Sequence, residues 1–472
     1  MRSVFTHLLA TALGLWALAA NADDPPASGR DIGTVIDEYR RIGLASNLSL
    51  ANQNLETQKS LAALDAARAR FYPELGINAR YTRADGGRQI TVPVSQLLNP
   101  AYQTLNELLV ANGSTPRFPM LGDESFPLQL PREQDTRITL RQPLYAPALP
   151  AAVAAARASA RATDFAQQAF ARQLRRDIAV AYLDWLRARN GTRIIAASVA
   201  LLAENLRVNQ SLYAAGKGTH DVVLRTEAEL LAAQQQQGES DNAATQARSY
   251  INFLLNRPLD TALKSAEFAG ADAAATSAAG APVALAEATH AALLKRPELR
   301  QLEAAGNAAE AELRVARAAH KPTLSLGVDA GTEGSDYGLG RNYNFSTASL
   351  VASWTLFDGG ARAAAVSQAR LAGAQLRNQQ QLAASRVELE VRQADDNLRT
   401  ANASLATATA RAAAARADFA IASRRRDAGM ASALEFLDAR SALTGAELNE
   451  NQSRCALLQR QFEYDYARGE TP

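Results

Sequence analysis

The sequence predicts a mainly α-helical fold with a small β part, in which long antiparallel coiled-coil helices accompany four short strands per chain. Three observations carry this prediction: an internal duplication, a heptad spacing of apolar residues, and short segments in which apolar and polar residues alternate. The composition of the 472-residue chain agrees, since aromatic residues make up only 6% and alanine is heavily used, as is typical of long helices. The formal net charge of +2, with basic residues spread along the chain, gives no indication of a nucleic-acid partner.

The clearest sign of duplication is a glycine-containing passage that occurs twice. AAGKGTHDVVLRTEAEL begins at Ala214 and DAGMASALEFLDARSAL begins at Asp427, so that Gly216 aligns with Gly429. Each glycine permits the left-handed conformation that ends a helix, and a Thr or Ser three residues later is a good cap for the helix that follows. The sequence therefore predicts a helix, a sharp turn and a second helix at both places.

The same order of elements in both halves divides the chain into repeats. Each repeat is expected to contain a helix, a strand pair, a long helix, a turn and a shorter helix. The predicted divisions are a signal peptide at 1–22, a first repeat at 23–258, a low-complexity linker or equatorial region at 259–283, a second repeat at 284–468 and a tail at 469–472. The turns are predicted at 214–220 and 427–433, and a long loop at 82–134 is expected to join the first strand pair.

Apolar residues mark a seam along each long helix. In the second half they follow a 4-3-4-3 spacing from Val387 to Phe419, which is the heptad pattern of coiled-coil packing. A similar spacing runs from Ile195 to Tyr213 in the first half. The helices predicted from Pro147 to Ala215 and from Gly359 to Ala428 would each be roughly 100 Å long at 1.5 Å per residue.

The predicted strands have the length and the alternation of membrane-spanning strands. Segments such as RITLRQPLY and TLSLGVDA place apolar residues on one face and polar residues on the other, and each has about the 9–11 residues that a tilted strand needs to cross a bilayer. Four strands cannot close a barrel, for which ~8 is the practical minimum, and open strand edges are costly in lipid. Three chains that pool their strands would form a trimeric, 12-stranded β-barrel.

The N-terminus predicts export. Arg2 precedes an apolar run that ends at Ala20, and the residues Ala20, Asn21 and Ala22 form an A-x-A cleavage site, which together indicate a cleaved secretory signal peptide. Cys455 is the sole cysteine of the chain, so an exported form would have no internal disulfide framework.

The turn motif AGMASALEFLDARSAL, the corner LFDGG at Leu356–Gly360, the prolines Pro73 and Pro322 and the duplication together carry a resemblance to a known family. The chain resembles the TolC family of outer-membrane efflux and secretion channels, over essentially its whole mature length. The resemblance implies a homotrimer in contact with outer-membrane lipid of a Gram-negative bacterium, with its β-barrel continued through the periplasm by a barrel of coiled α-helices.

The resemblance also implies that the two turns form a periplasmic tip, which constricts the channel and contacts the periplasmic adaptor (membrane fusion) protein of an inner-membrane pump, proton-driven or ATP-driven. The candidate tip residues are Gly216, Thr219, Asp221, Val223, Leu224, Arg424, Arg425, Arg426, Asp427, Gly429, Ser432, Phe436 and Leu437. We expect Asp221 to pair with one of the three arginines and hold the channel closed. A solvated charge run is an equal alternative for these arginines.

Two further sets of residues are expected near the membrane. The candidate helix–strand corner residues are Pro73, Pro143, Pro322, Asp358, Gly359 and Gly360. The candidate membrane-interface aromatics are Tyr72, Tyr145 and Phe357, since tyrosine is enriched at the membrane–water boundary. Asp358 is expected to cap the second long helix, and the two glycines after it allow a sharp corner.

Sequence motifs favour a passive function. The chain contains no Walker A, G-x-S-x-G or dinucleotide-binding motif, and its histidines and cysteine lack zinc-site spacing, so we expect no enzymatic activity, no metal and no cofactor. The preferred function is export of small, drug-like molecules in a tripartite efflux system. The alternatives left open are the outer-membrane channel of a type I protein secretion system and, in a different class, a periplasmic coiled-coil scaffold without a pore.

Overall fold

The computed structural model describes residues 31–266, 268, 284–336, 338 and 340–470. The predicted signal peptide and most of the predicted linker lie outside these residues. The described helices and strands confirm a mainly α-helical fold with a small β part. Among the described helices, none is both long enough and apolar enough to cross a membrane.

The helices and strands follow the same order twice along the chain, apart from two short strands and a helix that only the first set contains. The first set is α1 (Ile32–Ser46), α2 (Leu48–Ala69), β1 (Glu74–Arg83), β2 (Gln89–Val92), α3 (Val94–Ala111), β3 (Glu124–Pro127), β4 (Arg132–Tyr145), α4 (Ala148–Ala214) and α5 (His220–Leu254). The second set is α6 (Leu285–Lys295), α7 (Pro297–Ala318), β5 (Thr323–Gly334), β6 (Asn344–Ser353), α8 (Ala361–Asp427) and α9 (Ala433–Ala467). The long helices α4 and α8 each contain 67 residues, and the helices that follow them each contain 35.

Four strands form one antiparallel sheet in the order β1-β4-β5-β6. Strands from both repeats therefore meet at the centre of the sheet, where β4 pairs with β5. Strands β1 and β6 each have one edge that pairs with no other described strand. The sheet is consequently open on both sides, as four strands from one chain require.

The segment between β1 and β4 differs from the expected loop. It contains a two-stranded sheet, in which β2 pairs with β3, and the 18-residue helix α3 between them. Pro100 lies inside this helix, and an internal proline lacks the N–H of a helical hydrogen bond and normally argues against a helix. The described chain thus has six strands rather than four, although only four belong to the main sheet.

The chain divides into two compact units. The helical unit comprises the described residues of 1–56, 164–301 and 380–472, and the sheet unit comprises 57–163 and the described residues of 302–379. The largest core of the helical unit joins α1, α4 and α5, and it contains Tyr182 and Trp185. The Tyr182 hydroxyl donates to the carbonyl oxygen of Lys264 at 3.1 Å, which satisfies its one polar atom in the core.

The predicted heptad seam of α8 is confirmed. Its ten positions from Val387 to Phe419 are all buried or half-buried, whereas most residues between them are exposed. Val387 and Val391 pack in one cluster with α6 and with Tyr464 of α9. In the first half the seam ends earlier than expected, because Tyr213 is exposed and its ring lies 5.1 Å from that of His220.

Candidate functional site

The main sheet has one continuous apolar face. The strand register places Leu75 beside Leu140, Leu140 beside Val328, and Val328 beside Ala348. Because side chains alternate between faces along each strand, Ile77, Ile138 and the other apolar residues two positions away share this face. Most of these side chains are exposed or half-buried in one chain, so the face is suited to contact with hydrocarbon.

The opposite face of the sheet is polar and charged. Arg137 bonds Asp135 through its Nε at 2.7 Å and lies 3.8 Å from the carboxylate of Glu333. Its guanidinium carbon is 5.2 Å from the centre of the Phe345 ring. Gly331 lies beneath this arginine, and a Cβ there would be 2.2 Å from the carbonyl oxygen of Thr136. A face of this kind is suited to a water-filled lumen.

The corner between β6 and α8 is built around Asp358. Its carboxylate accepts from the backbone N–H of Gly360 at 3.2 Å and of Arg362 at 3.1 Å, and from Arg362 Nε at 2.6 Å. Gly359 and Gly360 have φ values of +64° and +91°, a region that favours glycine. The expected cap of the long helix is therefore present, because Asp358 binds the first N–H groups of that helix.

The other expected corner residues also lie at strand ends. Pro73 and Pro322 immediately precede β1 and β5, and Pro143 lies in β4, where the register with β5 shifts before Tyr145. The expected interface aromatics are all exposed in one chain: Tyr72, Tyr145 and Phe357. Tyr72 precedes β1, Tyr145 ends β4 and Phe357 follows β6, so their role at a membrane boundary stays a prediction.

The two glycine turns have the same backbone geometry. The N–H of Lys217 donates to the carbonyl of Leu212 at 2.8 Å, and the N–H of Met430 donates to the carbonyl of Arg425 at 2.7 Å. Gly216 and Gly429 take φ values of +69° and +71°. Both helices thus end in the Schellman arrangement, and the sequence duplication is a duplication of structure. We call residues 205–226 and 424–440 the tip region.

The caps that follow the two turns differ. The Ser432 hydroxyl accepts from the N–H of Glu435 at 3.2 Å, as expected. Thr219 stands at the N-cap of α5, but its side chain makes no capping bond. The Thr219 hydroxyl bonds the Asp221 carboxylate instead, and this bond is the main reason that the pKa of Asp221 lies below its usual value. The cap predicted at Thr219 is therefore correct in position and wrong in its hydrogen bond.

The three arginines before the second turn have partners other than Asp221 in this chain. Arg424 donates to the carbonyl of Ala420 at 3.1 Å, and Arg425 donates to that of Met430 at 3.3 Å. In the described part of the chain none of the three forms an ion pair with Asp221. The ion pair expected to hold the channel closed is thus absent within one subunit. Arg424 and Arg425 bond nearby backbone carbonyls instead, and Arg426 points into the protein.

Arg426 turns inward and connects the two repeats. Its Nη2 donates to the side-chain oxygen of Asn205 on α4, and its guanidinium carbon lies 4.1 Å from the centre of the Phe436 ring. Burial lowers the pKa of Arg426. Phe436 also lies 5.5 Å from the ring of Phe419. This side chain is therefore part of a helix-to-helix contact and not part of a solvated charge run.

Buried polar residues continue this contact, and the sequence alone does not reveal them. Asn209 Nδ2 donates to the Thr226 hydroxyl at 2.9 Å and to the oxygen of Asn205 at 3.2 Å, and all three residues are buried. Their only sequence signal is a pair of asparagines four residues apart within an apolar seam. Of the expected tip residues, Val223, Phe436 and Leu437 are buried, whereas Leu224 is exposed, as are Met430 and Leu434 near the second turn.

No metal site accompanies this geometry in the residues that the structure describes, since no group of three His, Cys, Asp or Glu residues is placed to hold an ion. Cys455 is fully buried, and burial raises the pKa of its thiol to about 12. It is therefore a small core residue.

Residues 288–463 match the model of the family described as "Outer membrane efflux protein". CyaE of Bordetella pertussis is 35% identical over 178 residues, which span 37% of each protein. The fold is similar to that of CusC, with a TM-score of 0.75 at 17% identity over 93% of this chain and 92% of CusC. It is also similar to the CmeC outer membrane channel of Campylobacter jejuni, with a TM-score of 0.74 at 16% identity over 92% and 85% of the two chains.

The chain therefore has the fold of these outer-membrane channels, as its resemblance to the TolC family predicts, and residues 288–463 match the outer membrane efflux protein family. The family match and the fold agree with the expected location in the outer membrane of a Gram-negative bacterium. The matches also agree with the expectation that the chain is not an enzyme, because the matched family and structures are described as outer membrane efflux proteins or channels. The chain spans little more than a third of CyaE, the curated relative that it matches.

Proposed function

We propose that this protein is the passive outer-membrane exit channel of a tripartite efflux system and that it works as a homotrimer. One observation carries the proposal: a four-stranded sheet that is open at both edges, apolar on one face and charged on the other. A sheet of this kind needs both lipid and water, one on each face, as the wall of a pore does.

The open edges of the sheet support a trimer. The outer edges of β1 and β6 pair with no other strand in the described chain, and unpaired backbone groups are costly in lipid. If β6 of one subunit pairs with β1 of the next, three copies close a ring. Three copies would contribute twelve strands, which clears the minimum of ~8 for a barrel.

The tip region supports docking of a periplasmic adaptor. Leu224, Met430 and Leu434 are exposed at or near the two turns, and exposed apolar residues grouped at one place are typical of protein contact surfaces. An adaptor seated there would connect the channel to an inner-membrane pump, which supplies the energy, proton-driven or ATP-driven. A periplasmic scaffold without a pore would not explain why one face of the sheet is apolar and the other is charged.

The mass of the detergent-extracted protein tests the assembly. A particle of roughly 145 kDa after correction for detergent, about three times the mature chain, supports the trimer. A monomer, or protein that is recovered from cells without detergent, would favour the scaffold instead. Planar-bilayer recordings of the purified particle then test whether it conducts ions.

A deletion strain separates small-molecule efflux from type I protein secretion. Under the efflux proposal the strain becomes sensitive to drug-like compounds, and its secreted proteins are unchanged. Complementation with the wild-type gene restores resistance. Loss of one secreted protein with unchanged drug sensitivity would replace efflux by the type I alternative.

A further inference from the structure

The segment between β1 and β4 exposes a helix face that no described residue of its own chain covers. Helix α3 carries Val94, Leu98, Ala101, Leu105 and Leu108 at 4-3-4-3 spacing, and the side chains from Leu98 to Leu108 in this set are exposed. At 100° per residue these five positions lie within about 80° of the helix circumference. They form an apolar stripe, bordered by exposed Leu97, which we call the α3 seam.

The helix is held by contacts on a different face. Asn99 Oδ1 accepts from the N–H of Leu121 at 2.8 Å, and Asn106 Oδ1 accepts from the N–H of Phe118 at 3.1 Å. Tyr102 adds a ring contact to Phe118 at 5.2 Å. These contacts bind α3 to the chain that returns to β3. The α3 seam is therefore presented by a supported helix and is not needed for its attachment.

The pattern of the α3 seam specifies another helix as its partner. A 4-3 spacing is that of knobs-into-holes packing between helices, and a lipid-facing surface has no need of it. Glu107 is the one charged residue in α3 and lies away from the seam, so identical copies of the seam do not repel each other. Pro100 also lies outside the seam, about 120° around the helix from its middle, so the proline takes no position in the seam.

The position of the insertion brings copies of α3 together. Strand β1 is an edge of the main sheet, and in the trimer this edge pairs with the neighbouring subunit. The segment between β1 and β4, which contains α3 and which we call the insertion, begins at the C-terminal end of β1. Three insertions therefore emerge beside the three subunit boundaries, at the mouth of the barrel where β1 ends and β4 begins.

We propose that the α3 seams of the three subunits pack against each other as a three-helix bundle over the outer mouth of the barrel. This inference rests on the proposed function, because it requires the trimer. An 18-residue helix is about 27 Å long at 1.5 Å per residue, so the bundle would narrow the exit with an apolar ring. The partner of the α3 seam is a second copy of this chain.

Cysteine cross-linking tests the contact in the full-length protein. Leu105→Cys places a thiol in the middle of the seam, and Gln103→Cys, on the far side of the same helix, is the matched control. The native Cys455 is buried with a pKa raised to about 12, so it should not form disulfide cross-links under mild oxidation. Mild oxidation in outer-membrane vesicles should convert L105C to a covalent dimer, up to about two-thirds of the chains because one of three thiols is left over.

Each outcome decides between the possibilities. A dimer from L105C with none from Q103C supports the bundle. A detergent-extracted trimer in which L105C gives no dimer, or gives no more than Q103C, overturns the bundle and leaves the channel intact. A chain that is monomeric in detergent overturns both proposals.

A spin label at position 105 provides the second measurement. Within a helix bundle the label is immobilised and shielded from both oxygen and a water-soluble nickel complex. A label that oxygen reaches freely and nickel does not would show that the seam faces lipid, and the inference would be wrong. Serine at Leu98, Leu105 and Leu108 together should increase single-channel conductance if the bundle narrows the exit.

Discussion

Arg426 of α8 donates a hydrogen bond to Asn205 of α4, 221 positions earlier in the chain. The two residues belong to different repeats, and the bond lies next to the second glycine turn. Asn205 in turn accepts from Asn209, which donates to Thr226 on α5. One chain of side chains therefore links three helices of the tip region, and it depends on an arginine that lies against the ring of Phe436.

Removing this arginine should loosen the tip region. Arg426→Ala loses a hydrogen bond from a charged donor, worth about 1.5–3 kcal/mol, and a cation–π contact of about 0.5–2 kcal/mol. We expect a loss of about 2 kcal/mol in the free energy of local unfolding, measured by amide hydrogen exchange of the tip helices. The matched control is Arg424→Ala, because Arg424 bonds only a carbonyl of its own helix. Equal effects of the two variants would contradict the role of Arg426.

The glycines of the two turns should tolerate no side chain without strain. Gly216→Ala and Gly429→Ala force a Cβ into the left-handed conformation, which costs about 1–2 kcal/mol per residue, although neither position is crowded. Each variant should lower the denaturant midpoint or speed proteolysis at its own turn. Gly238→Ala is the control, because Gly238 lies inside helix α5 with open space around it, and alanine there should stabilise the helix by about 0.5–1 kcal/mol.

The sequence predicts these turns well because the signals are local. A left-handed glycine and a cap three residues later fix the backbone without help from distant residues, and Gly216 and Gly429 adopt nearly the same φ. The heptad seam from Val387 and the alternation in β5 are also local patterns, so the main helices and the four strands of the main sheet follow from them.

Contacts between distant residues are what the sequence leaves out. Arg424, Arg425 and Arg426 look alike in sequence, yet only Arg426 reaches Phe436 and Asn205. The direction in which each arginine projects from α8 decides its partner. The sequence alone does not show which partners lie in that direction, because this depends on how α4 and α9 pack against α8. Helix α3 is not predicted for another reason. Judged by local propensity alone, its internal proline argues against a helix more strongly than the 4-3 spacing of its apolar residues argues for one.

Gly331 should be required for the pairing of β4 with β5. A Cβ at this position would lie 2.2 Å from the Thr136 carbonyl and 2.7 Å from Cα of Arg137, so the backbone itself must move. Overpacking of this kind costs about 1–3 kcal/mol. Gly331→Ala should reduce the yield of heat-resistant trimer on semi-native gels.

The same strand supplies the control for this prediction. At Gly327, on the same face of β5, the nearest atom to an added Cβ is 3.9 Å away, so Gly327→Ala should assemble normally. If both variants assembled as wild type, close approach of the two strands would not be the reason for the glycine at 331.

Asp465 should make the stability of the helical unit depend on pH. Burial raises the pKa of its carboxyl to about 6, with Glu470 adding to the shift and the amide of Gln461, at 3.0 Å, opposing it together with Arg468 and Arg40. A folded-state pKa above the unfolded one means that the protonated acid stabilises the fold. That contribution is complete below about pH 4 and is lost as the pH rises through 6.

Asp465→Asn isolates this effect, because asparagine keeps the acceptor for Gln461 and carries no charge. The free energy of unfolding of the wild type, relative to D465N, should fall by about 2–3 kcal/mol between pH 4 and pH 7. Chemical denaturation of both proteins across this range measures the difference. A difference that stays constant, or that grows in favour of the wild type as the pH rises, would show that the carboxylate is stabilised by Arg40 and Arg468 more than burial disfavours it.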